Sequence, residues 1–122
     1  MVVRRTMLLA TLLMTSACGS ASGRTPGELE TAHCYAMSLV FNDLVNFANA
    51  PVRQREALAK VRIYFTTKFQ NAVAEIATRG GDLNGLSEHT KAFLEEVKED
   101  PLKWQDDFRR CTESAITELS QG

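Results

Sequence analysis

The sequence has few of the residues that usually carry enzyme chemistry: its 122 residues include only three cysteines and two histidines. It has no Cys-x-x-Cys-His haem motif, no glycine-rich phosphate loop and no serine nucleophile elbow. These absences remove the common routes to redox, phosphoryl-transfer and acyl-transfer chemistry. We therefore predict a protein that is not an enzyme and that binds no cofactor and no metal.

Strong charge and long apolar runs are also missing. The formal net charge is −1, so we expect no nucleic acid partner, because such partners are held by clusters of basic residues on phosphates. No internal stretch approaches the ~20 apolar residues that a membrane-spanning helix needs. The length fits one domain with a modest core.

The first eighteen residues have the order of a secretory signal. Arg4 and Arg5 are followed by the apolar stretch 7–14 and then by the small residues 15–17. The apolar part is too short to remain as a membrane anchor. We therefore predict a signal peptide over 1–18, a flexible Gly/Ser tether over 19–26 and a helical domain over 27–122.

The end of this segment resembles a bacterial lipoprotein signal, because small Ser16 and Ala17 immediately precede Cys18. The resemblance covers the leader alone, and it departs from the family at Thr15, where leucine is usual. It implies cleavage before Cys18, a lipid on the Cys18 thiol and, with Gly19 following, a periplasmic protein anchored to the outer membrane. Ordinary cleavage near Ala17 or Ala21 stays open as the alternative.

Lipidation of Cys18 would leave an even pair of cysteines, Cys34 and Cys111, in an oxidising compartment. One lies near the start of the helical domain and the other near its end. We predict a disulfide between them.

Helical periodicity and capping signals predict four helices. The first begins at 26–28 and ends before Pro51, the second ends at Gly80-Gly81, the third is capped by Ser87, and the last follows Asp100-Pro101 and runs to about Ser120. In three of the helices, apolar seams recur at spacings of three and four: Cys34, Met37, Phe41, Leu44 and Ala48; Leu58, Val61, Phe65, Phe69, Ala72 and Ile76; and Trp104, Phe108, Cys111, Ala115 and Leu119. The third, shorter helix carries Phe93, Leu94 and Val97. On the charged face of the last helix, Asp106 and Arg110 have i,i+4 spacing.

Short connections between four helices favour an all-α, antiparallel up-down-up-down four-helix bundle. The first and last helices are then adjacent, and Cys34 and Cys111 lie at nearly the same level on the facing apolar seams. The first helix is apolar around most of its circumference and shows one narrow polar stripe that we expect to be solvated: Ser38, Asn42, Asn46 and Asn49. It is either the centre of the bundle or part of an interface, for which Leu39, Val45 and Phe47 are the candidates.

The histidines give a weak metal signal. Glu30 and His33 have the Glu-x-x-His spacing that resembles a ligand pair of ferritin-like di-iron bundles. A second pair is missing, because no glutamate lies three residues before His89. We therefore expect His33 to be a surface residue near a helix start.

Two functions remain open. The first is a small non-enzymatic cell-envelope lipoprotein with a protein-binding or structural role, attached to the membrane through Cys18. The second is a soluble periplasmic stress chaperone or apolar-ligand carrier. A cavity enclosed by Phe65, Phe69 and Trp104 would favour a carrier, whereas an exposed patch at Leu39, Val45 and Phe47 would favour partner binding.

Overall fold

The computed structural model describes residues 26–121, which form four α-helices and one short 3-10 helix. The helices are α1 (Pro26–Phe47), α2 (Val52–Arg79), α3 (Leu83–Glu99) and α4 (Gln105–Gln121), and the 3-10 helix Pro101–Trp104 leads into α4. This confirms the predicted all-α, antiparallel up-down-up-down bundle. The predicted signal peptide, Cys18 and the tether up to residue 25 lie outside the described residues.

Local sequence signals set most helix ends where we predicted them. Pro51 immediately precedes α2, and the turn before it contains Asn49 in the left-handed conformation, with φ 53°. Gly80 ends α2 with φ 72°, a conformation that costs glycine little. Asp100 caps the 3-10 helix, since its carboxylate accepts a hydrogen bond from the Lys103 backbone N–H at 3.4 Å.

The predicted start of α3 at Ser87 is wrong. The helix begins at Leu83, and Asp82 is its N-cap, with its carboxylate accepting from the Gly85 backbone N–H at 2.8 Å. Polar residues and Gly85 resembled a loop in the sequence, but the first turn of a capped helix tolerates them. Glycine at position 85 leaves room for this cap, because a Cβ there would overlap the Asp82 carboxylate in its capping position.

Helix α1 is the centre of the bundle, and it packs against all three other helices. Its side chains contribute to both apolar clusters of the core. The larger cluster contains Cys34, Ala36, Met37, Val40, Val61, Phe65, Phe93, Val97, Phe108, Cys111 and Ala115. The smaller cluster contains Ala32, Ile76 and Leu86.

The central place of α1 corrects the prediction of a solvated polar stripe. Asn46 and Asn49 are exposed, but Ser38 and Asn42 are buried at 1% and 4% exposure. Ser38 satisfies its hydroxyl by donating to the Tyr35 carbonyl at 2.7 Å. The Asn42 Oδ1 atom has no hydrogen-bond partner among the described residues. With helices on three sides, α1 has no solvated face along its middle.

The disulfide joins α1 to α4, as predicted. Cys34 and Cys111 have Cα atoms 5.7 Å apart, and both side chains are buried. Near it, the rings of Phe41 and Phe108 stack with centroids 4.7 Å apart. These contacts hold α4 against the centre of the bundle.

Ion pairs connect the basic second helix with its neighbours. Lys68 lies 3.7 Å from the Glu118 carboxylate on α4, and Tyr64 donates a hydrogen bond to the same carboxylate. Glu28 on α1 accepts from Arg79 at 2.8 Å. The excess of basic residues in α2 is therefore partly balanced by acids on α1 and α4.

On the charged face of α4, Asp106 and Arg110 have i,i+4 spacing, but each pairs with a different residue. Arg110 pairs with Asp107, and Arg109 pairs with Asp106 at 3.6 Å. Both pairs have i,i+3 spacing, at which helical residues are also neighbours.

Candidate functional site: a histidine pair beside the disulfide

His33 and His89 form a pair between α1 and α3. Their Nε2 atoms lie 2.8 Å apart, and the ring centroids are separated by 5.0 Å. The His33 ring also stacks on Phe93 at 4.2 Å. Both histidines are half-buried. His33 therefore lies near the start of α1, as expected, but α3 covers it in part.

The surroundings of His33 favour its neutral form. Burial lowers the pKa of His33 below its usual 6.5, and the nearby His89 lowers it further. The carboxylates of Glu96 and Glu30 act in the opposite direction and are the weaker influence. One Nε2–H then donates to the unprotonated Nε2 of the other ring, which requires that at least one ring is neutral.

A cleft of about 660 Å³ opens beside His33. The disulfide forms part of its wall, and so do aromatic and charged side chains from the 3-10 helix and α4. Its lining includes Glu30, His33, Cys34, Phe65, Trp104, Asp107, Arg110 and Cys111. Because both cysteines of this wall are bonded to each other, neither supplies a thiolate nucleophile.

A second, largely apolar groove of about 490 Å³ runs between α1, α2 and α3. Leu39, Phe69 and Leu94 line it, together with Leu83 and Leu86 at the start of α3. Phe65 and Trp104 line the first cleft instead, so the three aromatic residues that we expected around a carrier cavity are divided between two depressions.

Four large apolar side chains are exposed at one end of the bundle, where the α1–α2 turn and the α3–α4 connection lie. Phe47 is 92% exposed and Leu102 is 78% exposed, and Leu44 and Val52 are also open to solvent. We call Leu44, Phe47, Val52 and Leu102 the apolar end.

The three candidate interface residues do not form one surface. Phe47 belongs to the apolar end, Val45 is half-buried nearby on α1, and Leu39 lines the apolar groove. Successive helical residues point about 100° apart, so side chains six and eight positions along from Leu39 face other directions.

The histidine pair was missed because the spacing between its members, 56 residues, carries no local signal. A weaker signal was present. His89, Phe93 and Val97 follow each other at intervals of four, which places the imidazole on the buried face of α3. His33 lies four residues before buried Met37 on α1 in the same way.

The described region contains no ready-made metal centre or membrane span. Among residues 26–121, no group of three or more His, Cys, Asp or Glu side chains is placed to hold a metal ion. Within the same range, none of the helices combines the length and apolarity that crossing a bilayer requires. No protein family model, curated protein or solved structure matches the chain.

Proposed function

We propose that this protein is a small non-enzymatic lipoprotein of the bacterial cell envelope, exported to the periplasm and anchored to the outer membrane through Cys18. In this proposal it binds another envelope protein through the apolar end. The observation that carries the proposal is the exposure of Phe47 and Leu102, the two most exposed large apolar side chains of the described residues, at the same end of the bundle.

The position of the apolar end supports a binding role. The chain enters the bundle at Pro26, at the start of α1, whereas Phe47 is the last residue of that helix. Twenty-two helical residues span about 33 Å, so a tether at the start of α1 places the apolar end at the far side of the domain. A lipid anchor would therefore hold the apolar end away from the membrane, where an envelope partner can reach it.

Photo-crosslinking in cells tests the binding proposal. A photoreactive amino acid at Phe47 or Leu102 should give the same discrete adduct, whereas the same group at exposed Glu75 on α2 should not. Phe47→Ser in the Leu102-labelled protein should abolish that adduct, because it removes an aromatic anchor from the contact. An adduct that is equally strong from position 75, or none from either end position, would refute binding through the apolar end.

Intact mass and cell fractionation test the anchor separately. The protein should be found in the outer-membrane fraction with a mass that corresponds to cleavage before Cys18 and acylation of that cysteine. Cys18→Ala should release it from the membrane without changing its helical content. A soluble wild-type chain with an alkylatable Cys18 thiol would show that ordinary cleavage occurs.

The second candidate function is a soluble stress chaperone or carrier of apolar ligands, and the groove beside Leu39 and Phe69 favours it. A fatty acid with a fluorescent tail should bind to the purified protein, and Leu39→Lys should weaken that binding. Equal fluorescence with both proteins would exclude the groove as a ligand site.

A further inference from the structure

The geometry points to a copper(II) site formed by the Nε2 atoms of His33 and His89. The two imidazoles come from different helices, and their donor atoms already face each other across 2.8 Å. Imidazole nitrogen is the commonest protein ligand for divalent copper, nickel and zinc. This inference does not depend on the proposed partner binding or on the membrane anchor.

Ligand chemistry indicates which metal fits. Copper(II) has the highest affinity of the divalent first-row ions for nitrogen ligands, and it accepts two imidazoles in a square-planar or tetragonal arrangement. Metal–nitrogen bonds to histidine are about 2.0–2.1 Å long, so two ligands at 90° have nitrogens about 2.9 Å apart. The present 2.8 Å is the length of the hydrogen bond between the rings, so the two nitrogens need little change in separation to bind such an ion.

A metal ion can approach the pair from the side of His33. His33 lines the cleft of about 660 Å³, and Glu30 lines the same cleft. The carboxylates of Glu30 and Glu96 lie close enough to act electrostatically on the His33 ring, and their negative charge attracts a cation. Water completes the coordination, since two protein ligands leave positions open.

Binding requires a rearrangement of protons and rings. The proton that now lies between the two Nε2 atoms moves to Nδ1 of its own ring, so that both Nε2 lone pairs become available. The two rings now face each other almost in line, with centroids 5.0 Å apart and Nε2 atoms 2.8 Å apart. For two bonds at a right angle, each ring must turn its lone pair about 45° away from the line between the nitrogens, so that both lone pairs converge on one ion.

The glutamate pattern that the sequence offered, Glu30 with His33, pointed to a di-iron centre and lacked its second half. The structure supplies a different second ligand, His89, from a helix that the pattern does not include. With two imidazoles and no further pre-assembled donor within residues 26–121, the site suits an exchangeable ion better than a structural zinc, which takes four protein ligands.

Copper titration of the purified, oxidised protein tests the proposal. After treatment with a chelator, calorimetry with Cu²⁺ should show one ion bound per chain, and Zn²⁺ should bind at least about tenfold more weakly. Electron paramagnetic resonance of the copper complex should show coupling to two nitrogen nuclei. Saturating Cu²⁺ should also raise the thermal midpoint, because the ion binds the folded state.

Three variants complete the test. His33→Gln and His89→Gln each keep a hydrogen-bonding side chain, and each should weaken Cu²⁺ binding by at least about tenfold, as loss of even an outer-shell partner does. Glu88→Gln, an exposed change next to His89 on α3, should leave the affinity unchanged. Circular dichroism of each variant verifies that the bundle is folded. The two histidine variants should lose Cu²⁺ affinity to a similar extent, because each removes one of the two ligands.

Either of two results would refute the copper site. If the double variant His33→Gln/His89→Gln binds Cu²⁺ as tightly as the wild type, or if the spectrum shows no nitrogen coupling that depends on these residues, then the pair is a hydrogen bond and no more.

Discussion

Removal of the disulfide should cost the protein a large part of its stability. Cys34 and Cys111 are separated by 77 residues, so the bond restricts nearly the whole described domain in the unfolded state. In the chain-entropy model a loop of this size contributes about 4.5 kcal/mol, although measured values are often smaller. We expect the Cys34→Ala/Cys111→Ala variant to lose about 3–4.5 kcal/mol from a total that is ordinarily ~5–15 kcal/mol.

The structure also indicates where the loss should appear first. Apart from the disulfide, α4 is held by the stack of Phe41 on Phe108, by core contacts around Ala115 and by the surface pair of Lys68 and Glu118. Exposed ion pairs contribute little, about 0–1 kcal/mol. Without the sulfur bond, α4 should therefore open more readily than the pair formed by α1 and α2.

Urea unfolding and amide hydrogen exchange measure both effects. The midpoint should fall on addition of reductant in the wild type but not in the double-alanine variant, which serves as the control for the reductant itself. Exchange in the reduced protein should accelerate most in α4. An unchanged midpoint, or faster exchange spread evenly over all four helices, would refute the view that the disulfide holds α4 to the bundle.

Three further predictions concern single side chains. Asn42→Leu should raise the free energy of unfolding by about 1–2 kcal/mol in urea, because it removes a buried Oδ1 without a partner; a loss would mean that this atom is satisfied. Asp82→Ala should lower the free energy of unfolding by about 1 kcal/mol, because α3 loses its N-cap. Amide hydrogen exchange at Gly85 should become faster, and an unchanged exchange rate would contradict this prediction. Burial and the neighbouring His89 lower the pKa of His33, so the unfolded chain binds more protons just below pH 6.5. In chelator-treated protein, the stability from this group is complete above pH 6.5 and declines as the pH falls toward the lowered pKa; His33→Gln should flatten that decline in the thermal midpoint, and an identical slope would refute it.

The sequence predicted features that depend on short-range signals. Pro51 and Gly80 mark helix ends because their backbone preferences act within one turn, and the seams through Phe65 and Phe108 follow from helical spacing. The disulfide could be predicted for two reasons. Assigning Cys18 to the lipid leaves one pair among the three cysteines, and antiparallel packing of the first and last helices places Cys34 and Cys111 at the same height.

Features that depend on which helices contact each other could not be predicted from the sequence in this way. Ser38 and Asn42 are polar, so a helical projection assigns them to solvent, and only the packing of three helices around α1 shows that they are buried. His33 and His89 are 56 residues apart, and nothing local joins them. The prediction for the start of α3 was wrong for another reason, because the capped first turn of a helix and a polar loop use the same residue types.

The histidine pair and the disulfide both depend on the central position of α1 in the bundle. His33 and Cys34 are adjacent in sequence and point about 100° apart, so one faces α3 and the other faces α4. A helix that contacts neighbours on three sides needs apolar or internally paired side chains around most of its circumference, and the composition of α1 meets that need. Its solvated positions are then concentrated near its two ends, at Glu30 beside the cleft and at Phe47. The proposed copper site and the proposed partner contact lie toward opposite ends of one buried helix, which explains why each can be tested without disturbing the other.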